Sequence, residues 1–131
     1  MKKVPIIVSA IAGIALQSAA FAGYHATSLV SVYKSSSGGS AYGSVQSARY
    51  YSSDSSEYIG CLAAADLVSS TYITCAARNA GNVVLTCYST TADTQARQAV
   101  AAINTTSSIY FAADSTGKCT YISIGNYSYN L

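Results

Sequence analysis

Polar and apolar residues alternate with a period of two through most of this chain. β-Branched and aromatic residues recur at every second position in seven short runs, at 26–34, 42–52, 57–63, 71–78, 83–89, 108–112 and 119–125. Clusters of Ser, Gly, Asn and Asp separate them, which is the pattern of half-buried strands joined by turns. The Ser/Gly-rich stretch 35–44 overlaps the second run and reads as a mobile hairpin loop. One segment changes period. In TTADTQARQAVAAIN, Ala96, Val100 and Ile103 recur at helical spacing and form one apolar stripe. Thr90 or Thr91 can cap this helix, and Asp93 lies in its first turn, where the helix dipole favours negative charge. The pattern predicts a mainly β fold: a single small β-sandwich or curved antiparallel sheet, with one short helix over about 91–103.

The first apolar stretch belongs to neither period. Lys2 and Lys3 precede a continuous apolar run from Val4 to Leu16, and Ala20-Phe21-Ala22 follows it. A basic start, an apolar centre and an A-x-A site form a secretory signal peptide, so residues 1–22 are expected to be cleaved and 23–131 to make up one domain. The expected location is therefore secreted, extracellular or at the cell surface, with the periplasm as the alternative. No second run approaches the ~20 apolar residues of a membrane span. Cleavage also changes the charge. The formal +2 includes Lys2 and Lys3, and without them Lys34, Arg49, Arg78, Arg97 and Lys118 balance Asp54, Glu57, Asp66, Asp93 and Asp114. A neutral domain has no basic face for nucleic acid or anionic lipid.

Cys61, Cys75, Cys87 and Cys119 all follow the leader. Four cysteines in a small exported domain read as two disulfides with three connectivities open. The NAGN turn narrows the choice. A three-residue loop of Ala80, Gly81 and Asn82, with Gly81 or Asn82 at positive φ, sets Asn79 opposite Val83 and Cys75 opposite Cys87. Directly opposed cysteines on adjacent strands come close enough to bridge. The expectation is Cys75–Cys87, with Cys61–Cys119 joining the middle of the chain to its last strand.

Candidate catalytic groups are few. Ser31-Val32-Tyr33-Lys34 has the S-x-x-K spacing of penicillin-recognising enzymes, but that chemistry needs Ser and Lys one helical turn apart and further partner motifs. Here the four residues lie in a strand-like run. Gly117-Lys118 lacks the upstream glycine of a phosphate loop and has Cys119 where Ser or Thr belongs. His25 is the single histidine and lies close to the new N-terminus, without an orienting partner in the sequence. Asp54 and Glu57 alone are too few for a Ca²⁺ loop and read as turn residues. Asn104-Thr105-Thr106 and Asn126-Tyr127-Ser128 are glycosylation sequons that matter only in a glycosylating host. A hydrolase or transferase needs positioned acids, bases or metal ligands, so the expectation is a non-enzyme with no cofactor and no metal.

Tyrosine is the abundant functional side chain: twelve in the chain, with no tryptophan. Tyr among Ser, Gly and Asn makes amphipathic contact surfaces, and its ring stacks on sugar faces while its hydroxyl hydrogen-bonds. Tyr24, Tyr50, Tyr51, Tyr127 and Tyr129 lie in polar or terminal surroundings and are the expected contact surface. The remaining tyrosines are expected to cover half-buried sheet.

From Glu57 onward, the series YIGC, TCAARNAGNVVLTC, a short helix, SIYFAADSTGKCTYISIGN and a terminal Asn-Tyr-Ser segment resembles small exported bacterial disulfide-containing proteins of uncharacterised function. The resemblance implies a compact disulfide-stabilised domain outside the cytoplasm and assigns no site residue. Three functions suit such a domain. The first is an assembly subunit of an extracellular fibre or surface layer, joined to copies of itself when the 26–34 strand adds to a neighbour's sheet. The second is a tyrosine-rich carbohydrate-binding or adhesive module for surface glycans. The third is a small secreted inhibitor or toxin.

Overall fold

A computed structural model describes residues 29–65, 71–90 and 94–126. The expected leader, residues 26–28 of the first predicted strand, His25, the helix start at 91–93 and the tail after Asn126 lie outside these residues. Seven strands and one helix follow in order: β1 (Ser31–Ser35), β2 (Gly38–Ser44), β3 (Tyr58–Ala65), β4 (Thr71–Arg78), β5 (Val84–Thr90), α1 (Thr94–Ala101), β6 (Ser107–Asp114) and β7 (Cys119–Asn126). They build two antiparallel sheets, one of four strands in the order β1-β2-β6-β7 and one of three in the order β3-β4-β5.

The alternating pattern explains the layers. Ala41, Ile109 and Phe111 point inward from the four-stranded sheet and meet Ile73, Cys75, Ala77, Leu85 and Cys87 from the other in one core. The predicted mainly β sandwich with one short helix is the observed fold. In α1, Val100 is buried and Ala96 packs against the core, as does Ile103 just beyond the helix. The helix touches β3 and β7, an edge strand of each sheet. An eight-residue helix is too short to persist alone, so this contact holds it. Thr90, one of the two expected caps, ends β5.

Two elements differ from expectation. The stretch read as a mobile loop contains β2, which lies between β1 and β6. Its glycines are there because backbone approaches closely. A Cβ on Gly38 would lie 2.2 Å from the Ala113 carbonyl oxygen, and Gly38 has φ +136°, a conformation glycine adopts readily. The run predicted as strand over 42–52 stays extended only to Ser44. There the Ser44 hydroxyl accepts a hydrogen bond from Ser47 N–H at 3.3 Å, and the chain turns into a wide helical turn, Ser47–Tyr51, closed by Ser52 N–H donating to Ser47 O at 3.0 Å. A serine side chain that caps its own downstream backbone competes with sheet pairing, and Gln46, Ala48 and Arg49 are good helix formers.

The NAGN loop has the predicted geometry. Asn79 N–H donates to Val83 O at 3.1 Å, Asn82 has φ 63°, and Cys75 lies opposite Cys87. The expected bridges are nonetheless wrong. The disulfides are Cys61–Cys75 and Cys87–Cys119, not Cys75–Cys87 and Cys61–Cys119. Cys75 has an opposed cysteine on both sides, because the β3–β4 register places Cys61 directly across from it. Cys75 bonds outward to β3, which leaves Cys87 for the other sheet. Tyr88 N–H donates to Gly117 O at 2.9 Å, and a short parallel bridge joins Tyr88 to Lys118, bringing Cys119 to Cys87. One disulfide thus ties the three-stranded sheet internally, and the second staples the two sheets together. Such bridges fit an oxidising, extracellular environment. Among the described residues no helix is long and apolar enough to cross a membrane.

Candidate functional site: a tyrosine face

The outer face of the four-stranded sheet carries a tyrosine on every strand. Alternation turns Val32, Ala41, Gly43, Ile109, Phe111 and Ile122 inward, so the residues between them point out. These are Tyr33 of β1, Tyr42 of β2, Tyr110 of β6 and Tyr121 of β7. They are 67%, 42%, 38% and 58% exposed.

Register arranges them in two rows. Tyr42 and Tyr110 are directly opposed, flanked by Ser31 on β1 and Ser123 on β7. In the neighbouring row, Tyr33 and Tyr121 stand at the two ends with Ser40 and Ala112 between them. Three strand spacings separate Tyr33 from Tyr121, roughly 14 Å. Small side chains thus form a floor between two rings, and the Tyr42–Tyr110 pair closes one side. Tyr110 and Tyr121 meet edge to face, centroids 5.7 Å apart and planes at 66°, a favourable aromatic geometry that fixes both rings. Neither row contains a charged residue. The nearest charge along β6 is Asp114, in the turn to β7, where its Oδ1 accepts hydrogen bonds from Thr116 N–H at 2.9 Å, Thr116 Oγ1 at 2.7 Å and Lys118 N–H at 2.9 Å. The Thr116 hydroxyl, then the Lys118 amide, hold its carboxyl below the usual aspartate range.

The three-stranded sheet presents a different outer face. It too has a tyrosine on each strand, Tyr58, Tyr72 and Tyr88, with Tyr72 and Tyr88 5.7 Å apart at 33°. The exposed aliphatic residues Leu62 and Val84 share that face with them, however, and so does Arg78, which donates to Asn82 Oδ1 at 2.9 Å.

Of the five tyrosines expected to form a contact surface, Tyr24, Tyr127 and Tyr129 lie outside the described residues. Tyr50 and Tyr51 are exposed as expected, on the Ser47–Tyr51 turn, with the Arg49 guanidinium 5.8 Å from the Tyr50 ring centroid. They are not part of the tyrosine face. The four tyrosines that compose it are ones the sequence pattern assigned to sheet cover. Each lies within an alternating strand, so its outward parity was visible. What brought the four together is the strand order.

The remaining candidates are structural. Ser31 and Lys34 lie on one strand, and Lys34 Nζ donates to Val84 O at 3.5 Å. Glu57 is buried and accepts hydrogen bonds from the Ser52 hydroxyl and from Ala80 N–H at 3.1 Å, tying the start of β3 to the NAGN loop. Asp54 accepts from Ser56 N–H and from the Ser56 hydroxyl. Gly117, at φ +81°, serves the β6–β7 turn, and Asn104 Oδ1 accepts from Thr106 N–H and Oγ1. Cys75, Cys87 and Cys119 bring their sulfurs within 4.8 Å of one another, but all three are engaged in disulfides. No family model, no curated protein and no solved structure matches this chain.

Proposed function

We infer that this protein is an exported, non-enzymatic adhesive module that binds neutral saccharides on the tyrosine face of its four-stranded sheet. The observation carrying this reading is four exposed tyrosines on four adjacent strands, interleaved only with Ser and Ala in the two central rows. Tyrosine rings stack on the C–H faces of sugars, and their hydroxyls, with those of Ser31, Ser40 and Ser123, match a hydroxyl-rich ligand. Single-stranded nucleic acid also stacks on aromatic platforms, but it requires a positively charged groove beside them. These rows lack one, so a neutral ligand suits them.

Titration of the purified domain with neutral oligosaccharides chosen from a glycan array tests this. Tyr33→Ala and Tyr121→Ala should each weaken binding roughly five-fold, about 1 kcal/mol for one stacked ring. Tyr58→Ala, on the other sheet, should bind like the parent chain. Equal affinity across all three variants, or an array without a ligand, rejects the reading.

A specific observation favours a second reading, assembly with copies of itself. β1 is an edge strand, bonded to β2 on one side and to no strand on the other among the described residues. An open edge accepts a neighbour's strand through backbone hydrogen bonds. Deleting 23–34 should then abolish filaments seen by electron microscopy while retaining both disulfides, and filaments from the truncated protein would dismiss assembly through this strand.

A further inference from the structure

The four cysteines fall into two classes. Cys75 and Cys87 are fully buried, 0% and 1% exposed, at directly opposed positions on β4 and β5. Cys61 and Cys119 are half-buried and lie on β3 and β7, an edge strand of each sheet. Each disulfide joins one inner to one outer cysteine. The sulfurs of Cys75, Cys87 and Cys119 lie within 4.8 Å of one another, so the inner member of one bridge sits beside both atoms of the other. A cavity of about 310 Å³ between α1 and the start of β7, with Ala96, Ser89, Cys119 and Ile122 on its walls, opens onto the second bridge.

We propose that these cysteines form a thiol–disulfide exchange relay. An external thiol attacks an outer cysteine, and the inner pair then closes into a Cys75–Cys87 bridge, which opens the staple between the sheets. Starting at Cys61, the attacking thiolate bonds to its Sγ, the Cys61–Cys75 bond breaks, and the electron pair leaves on Cys75 Sγ. That thiolate attacks Cys87 Sγ, the Cys87–Cys119 bond breaks, and the electron pair leaves on Cys119 Sγ, which takes a proton from water in the cavity. Attack at Cys119 instead runs the sequence in reverse: Cys87 is freed, bonds to Cys75 and expels Cys61. Either point of attack leads to the same inner bridge. Two protein disulfides and one thiol become one protein disulfide, one mixed disulfide and one protein thiol, so the number of S–S bonds is conserved. The reagent is a small thiol or an oxidoreductase cysteine, as disulfide exchange generally requires.

Exposure makes the relay selective. Attack depends on access to sulfur, and Cys75 and Cys87 are closed to solvent while Cys61 and Cys119 are only half-buried. The inner bridge needs no change of register, since Cys75 and Cys87 are already opposed in the arrangement that brings Cβ atoms within bridging reach. The product leaves Cys61 and Cys119, on different sheets, carrying a mixed disulfide and a free thiol.

Trypsin makes the outcomes distinguishable. Cys61 and Cys75 share the tryptic peptide 50–78, Cys87 lies in 79–97, and Cys119 in 119–131. The native protein links 79–97 to 119–131. After native-state incubation with a glutathione redox buffer, acid quench and alkylation, the relay predicts a new 50–78/79–97 linked species. Glutathione should then lie on Cys61 with the alkyl label on Cys119, or the reverse. Loss of the native linkage without this species, or no change before unfolding, overturns the proposal. A second measurement uses Cys61→Ser/Cys119→Ser protein exported through an oxidising compartment. It should fold with a Cys75–Cys87 bridge, and a folded product with two buried thiols also overturns the relay. If that variant does not fold, the native-state map decides alone.

Discussion

The two sheets share one core but contribute to it in different ways. In the four-stranded sheet, Val32, Ala41, Phe111 and Ile122 form one inward row across β1, β2, β6 and β7, and Phe111 is fully buried. In the three-stranded sheet, the corresponding inward row across β3, β4 and β5 is Cys61, Cys75 and Cys87. Both disulfides start from this cysteine row, one tying the three-stranded sheet internally and the other reaching β7. The outer faces diverge as well. The packed sheet carries tyrosine and serine outward, whereas the bonded sheet mixes tyrosine with Leu62, Val84 and Arg78. The sheet whose inner row is packed side chains is the one whose two central outer rows hold only tyrosine, serine and alanine.

The strongest way to break this contrast is at the packed row. Phe111→Ala removes the largest fully buried side chain and should cost about 4 kcal/mol, transfer and cavity terms together. Against the total stability of a small domain, that leaves the protein marginal. Urea unfolding of the oxidised variant measures it. A loss below about 1 kcal/mol would show that the disulfides, not Phe111, hold the four-stranded sheet.

Removing the bridges pairwise separates staple from internal tie. The chain-entropy account scales with the loop closed, and the bridges span 32 residues for Cys87–Cys119 and 14 for Cys61–Cys75. Cys87→Ala/Cys119→Ala should cost about 3.7 kcal/mol and Cys61→Ala/Cys75→Ala about 3 kcal/mol. Thermal and urea melts of the two double variants order them. If the shorter bridge proves the more costly to lose, the three-stranded sheet depends on its internal tie more than the sandwich depends on its staple.

These residues also show where reading from sequence stops. The hairpin at Asn79–Val83 fixes its own register because Gly81 and Asn82 state the loop length, so Cys75 opposite Cys87 was legible. Which cysteine Cys75 bonds is set by β3, whose position depends on a pairing outside the hairpin. Strand β2 was hidden for a related reason. Gly38 and Gly39 look like loop residues until β6 and β1 lie against them, where added Cβ atoms would come within 2.2 Å of Ala113 O and 2.5 Å of Tyr33 O. The tyrosine face was half legible. Period two gives the outward parity of Tyr33, Tyr42, Tyr110 and Tyr121, but strand order, a non-local property, decides that they are neighbours.

The smallest effect concerns the turns that lead into each sheet. Asp114, at the end of β6, and Asp54, ahead of β3, each accept hydrogen bonds from residues just downstream, and both carboxyls titrate below the ordinary value of 3.8. For Asp54 the Ser56 hydroxyl is the main cause, followed by the Ser56 amide. A carboxyl whose pKa is lower folded than unfolded stabilises the fold above its unfolded pKa, and that contribution fades as pH falls through the folded pKa. Both residues are only part-buried, so solvent screens the effect and the acid-side decline should be shallow. Thr116→Ala removes the largest cause at Asp114, leaving the Thr116 and Lys118 amides. Its carboxyl should shift back toward the ordinary value while Asp54 stays unchanged, read by NMR titration of the two side chains. An unmoved Asp114 would assign the lowering to the backbone of the turn. Because Lys118 precedes Cys119, the turn ahead of the staple would then rest on the Asp114 carboxylate and backbone amides, without help from the Thr116 hydroxyl.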